Sequence, residues 1–153
     1  MQLDDATTIL GRADFFTVCS AEQRRLLAFA SERKKWRPNS VIYQAGDIPE
    51  GAHVLVTGTV ASYQDGDEAN PFVITSQGAL LGAMALVVAK PRPVTVKAVD
   101  NVETLFVPRT AFMKLANQEP ELAARVAARI RVELSGYLGE IERIKTKIGS
   151  SKA

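Results

Sequence analysis

Residues 78–98, GALLGAMALVVAKPRPVTVKA, constrain this chain more than any other stretch. Gly78 and Gly82 are spaced so that no strand runs through both without a break. The first part therefore reads as a turn, followed by one short helical turn over about 83–88. The residue before a proline is pushed out of helical geometry, so Lys90-Pro91 ends that turn. Residues 94–98 then alternate, which is strand spacing. A helix N-terminus, with open amides and the positive end of its dipole, thus falls close in sequence to one arginine, Arg92. Amides and a guanidinium make an anion site of phosphate size, because the arginine fork donates two parallel hydrogen bonds. Considered alone, Arg92 would as readily be a surface arginine paired with a carboxylate.

Elsewhere the hydrophobic pattern changes twice. Residues 3–12 read as a helix. The break that follows carries two aromatics, Phe15 and Phe16, expected as core anchors. Ser20 with Gln23 three residues on is a capping box, opening a helix to about Glu32. Strands are expected over 41–44, 53–56, 59–64, 72–76, 94–98 and 104–107. Turn signals separate them at Ala45-Gly46-Asp47, Thr57-Gly58, Asp65-Gly66 and Val99-Asp100-Asn101. Short strands punctuated by glycine turns predict a β-barrel or roll, over about 33–107.

From Pro108 the pattern returns to helix, and Pro120 opens a longer one, since proline is harmless at a helix start. Leu122, Val126, Ile130, Leu134, Leu138, Ile141, Ile144 and Ile148 follow at steps of three or four, on one stripe. At ~1.5 Å per residue such a helix reaches on the order of 40 Å, longer than a roll is wide. Its far end is expected to pack on the same helix of a second copy, as a coiled-coil homodimer. Ser135-Gly136 and Gly139 weaken that stripe, and a helix folded back on its own barrel is the alternative. The expectation is one domain over 1–153, mainly β with flanking helices, its C-terminal helical part at about 108–148.

The 153 residues suffice for one core, and 46% apolar content excludes a disordered chain. A net charge of +2 is too mild to argue for nucleic acid. The run Arg33-Lys34-Lys35-Trp36-Arg37 reads first as a strand leaving a helix C-terminus, where cations are favoured. One histidine, His53, and one cysteine, Cys19, leave no metal cluster by inventory and no intrachain disulfide. His53 is expected as a structural strand residue. No Walker loop, dinucleotide fingerprint or nucleophile elbow is present. The chain reads as a non-enzyme. Without a basic, apolar leader or a membrane-length run it is expected to be soluble and cytoplasmic, with no membrane partner.

With Gly82, Arg92 and Thr95-Val96 in place, the stretch resembles the phosphate-binding cassette of the cyclic-nucleotide-binding domain family, which includes the catabolite activator protein and kinase regulatory subunits. Gly46, Gly58 and Gly78 match that family's turn glycines. The resemblance covers roughly residue 15 onwards and implies an eight-stranded jelly-roll β-barrel followed by a long C-terminal helix. It implies a ligand-binding set of Gly82, Ala83, Met84, Arg92, Pro93 and Val94, and a cyclic nucleotide or other phosphorylated small molecule as ligand.

Two positions depart from the pattern. Ala83 stands where the family has a glutamate for the ribose hydroxyl, and Pro93 where a small residue offers an amide to the phosphate. Tyr137 falls near where the family's helix approaches the base. Three functions stay open: a regulatory sensor of a small phosphorylated ligand, a ligand-free dimeric module binding a partner protein, and the sensor part of a transcription regulator. No DNA-reading domain fits in the residues that follow the helix.

Overall fold

In the computed structural model the described residues are 3–131. Two four-stranded antiparallel sheets face each other as a jelly-roll-like sandwich, ordered β1-β8-β3-β6 and β2-β7-β4-β5. The strands are β1 Glu32–Trp36, β2 Val41–Tyr43, β3 Gly51–Thr57, β4 Val60–Gln64, β5 Phe72–Ile74, β6 Leu80–Leu81, β7 Val94–Ala98 and β8 Val102–Pro108. Helices α1 (Leu3–Arg12) and α2 (Ala21–Ala30) precede the roll and α3 (Arg109–Gln118) follows it. A fourth helix, α4, is described over 120–131. Among the described residues no helix is long and apolar enough to cross a membrane.

Strand alternation divides the interior into two cores. On β3, Ala52 and Val54 face the helices while Leu55 faces the opposite sheet. On β8, Leu105 and Val107 join the helical side and Val102 the inter-sheet side. The helical core is anchored as expected by Phe15 and Phe16, which pack with Phe112 of α3 at centroid distances of 5.3–6.0 Å. The Ser20–Gln23 capping box forms with both of its hydrogen bonds, holding the start of α2.

Several expected boundaries move for identifiable reasons. The glycine stretch expected as a plain turn holds a two-residue strand, Leu80–Leu81, because Val54 and His53 of β3 offer it a free edge. The last strand lengthens to Val102–Pro108, so Pro108 caps α3 from outside instead of opening it. Helix α2 ends at Ala30, where the Ser31 hydroxyl donates to the Leu27 carbonyl and Glu32 enters the ladder with β8.

On α4 the first stripe residues serve this domain's own core. Leu122 and Val126 are buried in it and Ile130 packs against it. Arg125 donates to the Val18 carbonyl at 2.7 Å, and Arg129 pairs with Asp14. The stripe beyond Arg131, Tyr137 and the expected dimer helix lie outside the described residues.

One turn depends on a glycine. Gly58 has φ +98°, and a Cβ there would lie 2.5 Å from the Asn101 carbonyl oxygen. A positive φ costs a side-chain residue ~1–3 kcal/mol before any clash. Gly58→Ala is therefore expected to destabilise by at least ~2 kcal/mol in chemical denaturation. A loss below half that would show that the β3–β4 turn gives way easily.

Candidate functional site

The cassette forms between β6 and β7. Gly82 takes the left-handed conformation (φ 80°, ψ 46°) and opens a 3₁₀ turn, Ala83–Leu86, shorter than the expected 83–88. The bonds Ala85 N–H to Gly82 carbonyl and Val87 N–H to Met84 carbonyl close it at 2.9 and 3.1 Å. Ala83 and Met84 stand at its start, where helical geometry leaves amides without a partner inside the turn.

Arg92 is fixed through its backbone. Its amide donates to the Asp47 carbonyl at 2.8 Å, and its own carbonyl accepts from Gly46 at 2.9 Å. The turn expected at Ala45-Gly46-Asp47 thus grips the arginine. The guanidinium is half-buried, 5.0 Å from the centroid of the Tyr43 ring, a cation–π distance. Pro93 is exposed, and Val94 is half-buried against the inter-sheet core at the start of β7. Of the six expected positions, Gly82 and Arg92 lie against Tyr43 and Val94 against the inter-sheet core, while Ala83 packs on the helical core.

Sequence reasoning missed three contributors. Tyr43 is one. Its buried hydroxyl donates to the Gly51 carbonyl at 2.7 Å and lies 3.2 Å from the Leu81 carbonyl. Its ring edge lies 3.3 Å from where a Cβ on Gly82 would sit. Only glycine lets the backbone approach this closely. Burial raises the phenol well above its ordinary pKa, against the opposing pull of Arg92, so it stays a donor.

Arg109, the first residue of α3, is another. It donates to the Pro49 carbonyl at 2.8 Å and to the Ala85 carbonyl inside the cassette at 3.1 Å. That ties the cassette turn to the helical segment. No local pattern marks Arg109, because its partners are brought to it only by the fold.

The third is a polar cluster on the inner face of the helix-backed sheet. Thr104, fully buried, accepts from Trp36 Nε1 at 3.0 Å and lies 2.8 Å from His53 Nδ1. The His53 ring packs among Trp36, Tyr43 and Phe106 with centroids 5.0–5.6 Å apart. Burial, with a lesser push from Lys34, lowers its pKa to about 3, so the ring is neutral. The threonine has one proton and the indole N–H occupies one of its lone pairs. All three groups are satisfied when Thr104 donates to Nδ1 and the ring proton sits on Nε2. His53 is thus a structural strand residue, as expected. Cys19 lies apart from it, in the helical core, with its thiol pushed up to about 11 by burial. Among the described residues no group of three or more potential ligands is placed to hold a metal.

This roll, with a glycine-opened turn between β6 and β7 and an arginine gripped behind it, is the architecture of a cyclic nucleotide-binding-type domain. The chain belongs to the cyclic nucleotide-binding domain family, whose model matches residues 33–119. A cyclic nucleotide-binding-like protein from Brucella abortus is 33% identical, with 74% of this chain and 99% of that one covered and a TM-score of 0.63. The sensor domain of the transcriptional regulator DNR from Pseudomonas aeruginosa is 17% identical with a TM-score of 0.73, covering 92% of this chain and 95% of that one. That match shows a shared fold. A lysophospholipase from Aspergillus terreus is 26% identical over 124 residues, 80% of this chain but only 8% of the relative's length. The chain thus spans under a tenth of the curated relatives it matches.

Proposed function

We propose that this chain is a non-enzymatic regulatory sensor domain that takes a small phosphorylated ligand at Gly82, Ala83, Met84, Arg92, Pro93 and Val94. The observation that carries this reading is the placement of Arg92, gripped through both its backbone amide and its carbonyl, beside a turn opened by Gly82. Arg92 supplies the charge, and the amides of Ala83 and Met84 complete the cradle. Ligand engagement shifts the population between two cassette positions, and the Arg109 bond to the Ala85 carbonyl passes the change to α3. The output then lies with the C-terminal helix, a second copy of this chain, or another polypeptide.

The ligand is not held as a standard cyclic nucleotide. Ala83 cannot accept from a ribose hydroxyl, and a charge-assisted bond is worth ~1.5–3 kcal/mol, about one to two decades of affinity. Pro93 removes a further amide donor. A second reading draws support from Tyr43: its ring already faces the Arg92 guanidinium and closes against Gly82. On that reading the domain is a ligand-free interaction module.

Melting temperatures with millimolar cyclic AMP, cyclic GMP and phosphate separate the two. A ligand at one hundred times its Kd adds ~2.7 kcal/mol of stability. Wild type is expected to shift weakly, Arg92→Ala not at all, and Ala83→Glu to bind cyclic nucleotide about ten- to one-hundred-fold more tightly. If neither wild type nor Ala83→Glu responds to any of the three, the sensor reading for these ligands is abandoned and the interaction module stands.

A further inference from the structure

A sheet edge is an open template unless the chain protects it, and the two sheets of the roll have an edge at β1, β6, β2 and β5. The first three are protected. Strand β1 is charged at Glu32, Arg33, Lys34 and Lys35, and Lys34 is turned inward, in the row of Thr104 and Leu55. Strand β2 is broken by a register shift between Val41 and Tyr43, and β6 is only two residues long. Strand β5 has none of these devices, and Pro71 lies before it. Phe72, Val73 and Ile74 pair with β4 without a bulge and carry no charge, with Phe72 68% and Val73 53% exposed. Among the described residues their backbone makes no hydrogen bond outside the ladder with β4.

What fits this edge is the same edge of a second copy. Phe72 shares a row with Ser62 and Val96 on the inter-sheet side, and Val73 shares the outer row of Ala61, Lys97 and Val41. In an antiparallel register centred on Val73, that residue meets its own counterpart and Phe72 meets the partner's Ile74. Aromatic and β-branched side chains directly opposed across strands are the favourable pairs. The charges permit it as well. The loop before β5 exposes Asp65, Asp67 and Glu68, and the two copies place this loop at opposite ends of the junction. Each loop then borders the partner's Thr75, Ser76 and Gln77, which are uncharged. A parallel pairing would set the two acidic loops side by side, at a Coulombic cost.

We propose that β5 is a contact through which two copies of this chain associate, joining their β2-β7-β4-β5 sheets edge to edge into one continuous sheet. The interface is isologous, since a two-fold axis at Val73 makes the patch complementary to itself. Three strand residues a side bury less than the ~1,600 Å² of a standard interface, so the association is reversible. It requires neither a ligand at Arg92 nor the apolar stripe beyond Arg131.

Sedimentation equilibrium at protein concentrations up to about 0.5 mM is expected to show a concentration-dependent association step. Val73→Lys is expected to abolish that step with an unchanged melting temperature, because the side chain is half in solvent and like charges would face each other across the axis. Val73→Thr, which keeps the β-branch, is expected to retain it. Cross-linking reports on the axis itself. Directly opposed strand residues have Cβ atoms ~4.5–5.5 Å apart, near disulfide range, so mild oxidation is expected to dimerise Val73→Cys at least about tenfold faster than Val41→Cys on the far edge of the same sheet. Cys19 is buried and stays unreactive. The proposal is overturned if wild type shows no association step over this range, or if Val73→Lys associates as wild type does, as a dimer held only by the C-terminal helix would. It is equally overturned if Val73→Cys cross-links no faster than Val41→Cys.

Discussion

Phe112→Ala is expected to cost ~3–5 kcal/mol, the range for deleting a buried phenylalanine. The side chain has no exposed surface, and both Phe15 and Phe16 lie with ring centroids 6.0 Å from it. Truncation leaves a void that none of these can fill, because Phe16 is itself fully buried and Phe15 nearly so. A domain of this size has a total stability of ~5–15 kcal/mol, so the loss is a large fraction of the whole. Phe112 also lies one turn along α3 from Arg109, the residue that grips the cassette carbonyl. Loosening α3 is therefore expected to weaken any ligand-induced shift as well. Urea unfolding checks the first part: the midpoint falls with the slope unchanged, and Phe112→Leu retains most of the stability. A cost below ~1 kcal/mol for the alanine variant would mean that the three rings do not act as one packed unit.

The second large effect is expected at Thr104. Thr104→Val keeps the shape of the side chain but leaves Trp36 Nε1 and His53 Nδ1 without their shared partner. An unsatisfied buried polar group costs ~1–3 kcal/mol; His53 is buried and Trp36 only partly so, and the variant is expected to cost ~1–3 kcal/mol, chiefly through His53. Thr104→Ser, which preserves the hydroxyl, is expected to lose much less.

The same cluster sets an acid sensitivity. In the fold the His53 pKa is about 3, below its ordinary value of 6.5. Between those limits the unfolded chain binds a proton that the folded one refuses. Stability contributed by neutral His53 is present above pH 6.5 and is lost as pH falls towards 3, at up to ~1.4 kcal/mol per pH unit. His53→Gln is expected to flatten this slope between pH 6 and 4, roughly within that window. Parallel wild-type and His53→Gln stability profiles would show that carboxylates alone govern the acid limb.

Much of the architecture could be read locally. Alternation over 94–98 and the glycine turns at Gly46, Gly58 and Gly78 are short-range signals, and each of these glycines has a positive φ. Ser20 and Gln23 satisfy one another across three residues, so their cap was visible as well. Strand β6 was not, because a two-residue strand has no period; it exists through its pairing with β3. Arg109 was passed over for the same reason: its partners, the Pro49 and Ala85 carbonyls, are brought to it by the roll. Lys34 sat in a run read by its charges, and the structure places its ammonium 4.8 Å from the Phe106 ring centroid.

The amino-acid order by itself determined the strand periods, the turns and the identity of the cassette with its arginine, because these depend on neighbours along the chain. The tertiary structure alone decided that Arg92 lies against Tyr43, that Thr104 joins Trp36 to His53, and that the early stripe of α4 serves its own domain's core. Those contacts follow from the register between strands and from how the sheets and helices close on one another. They link residues far apart in the chain, and no local pattern encodes which pairs will meet.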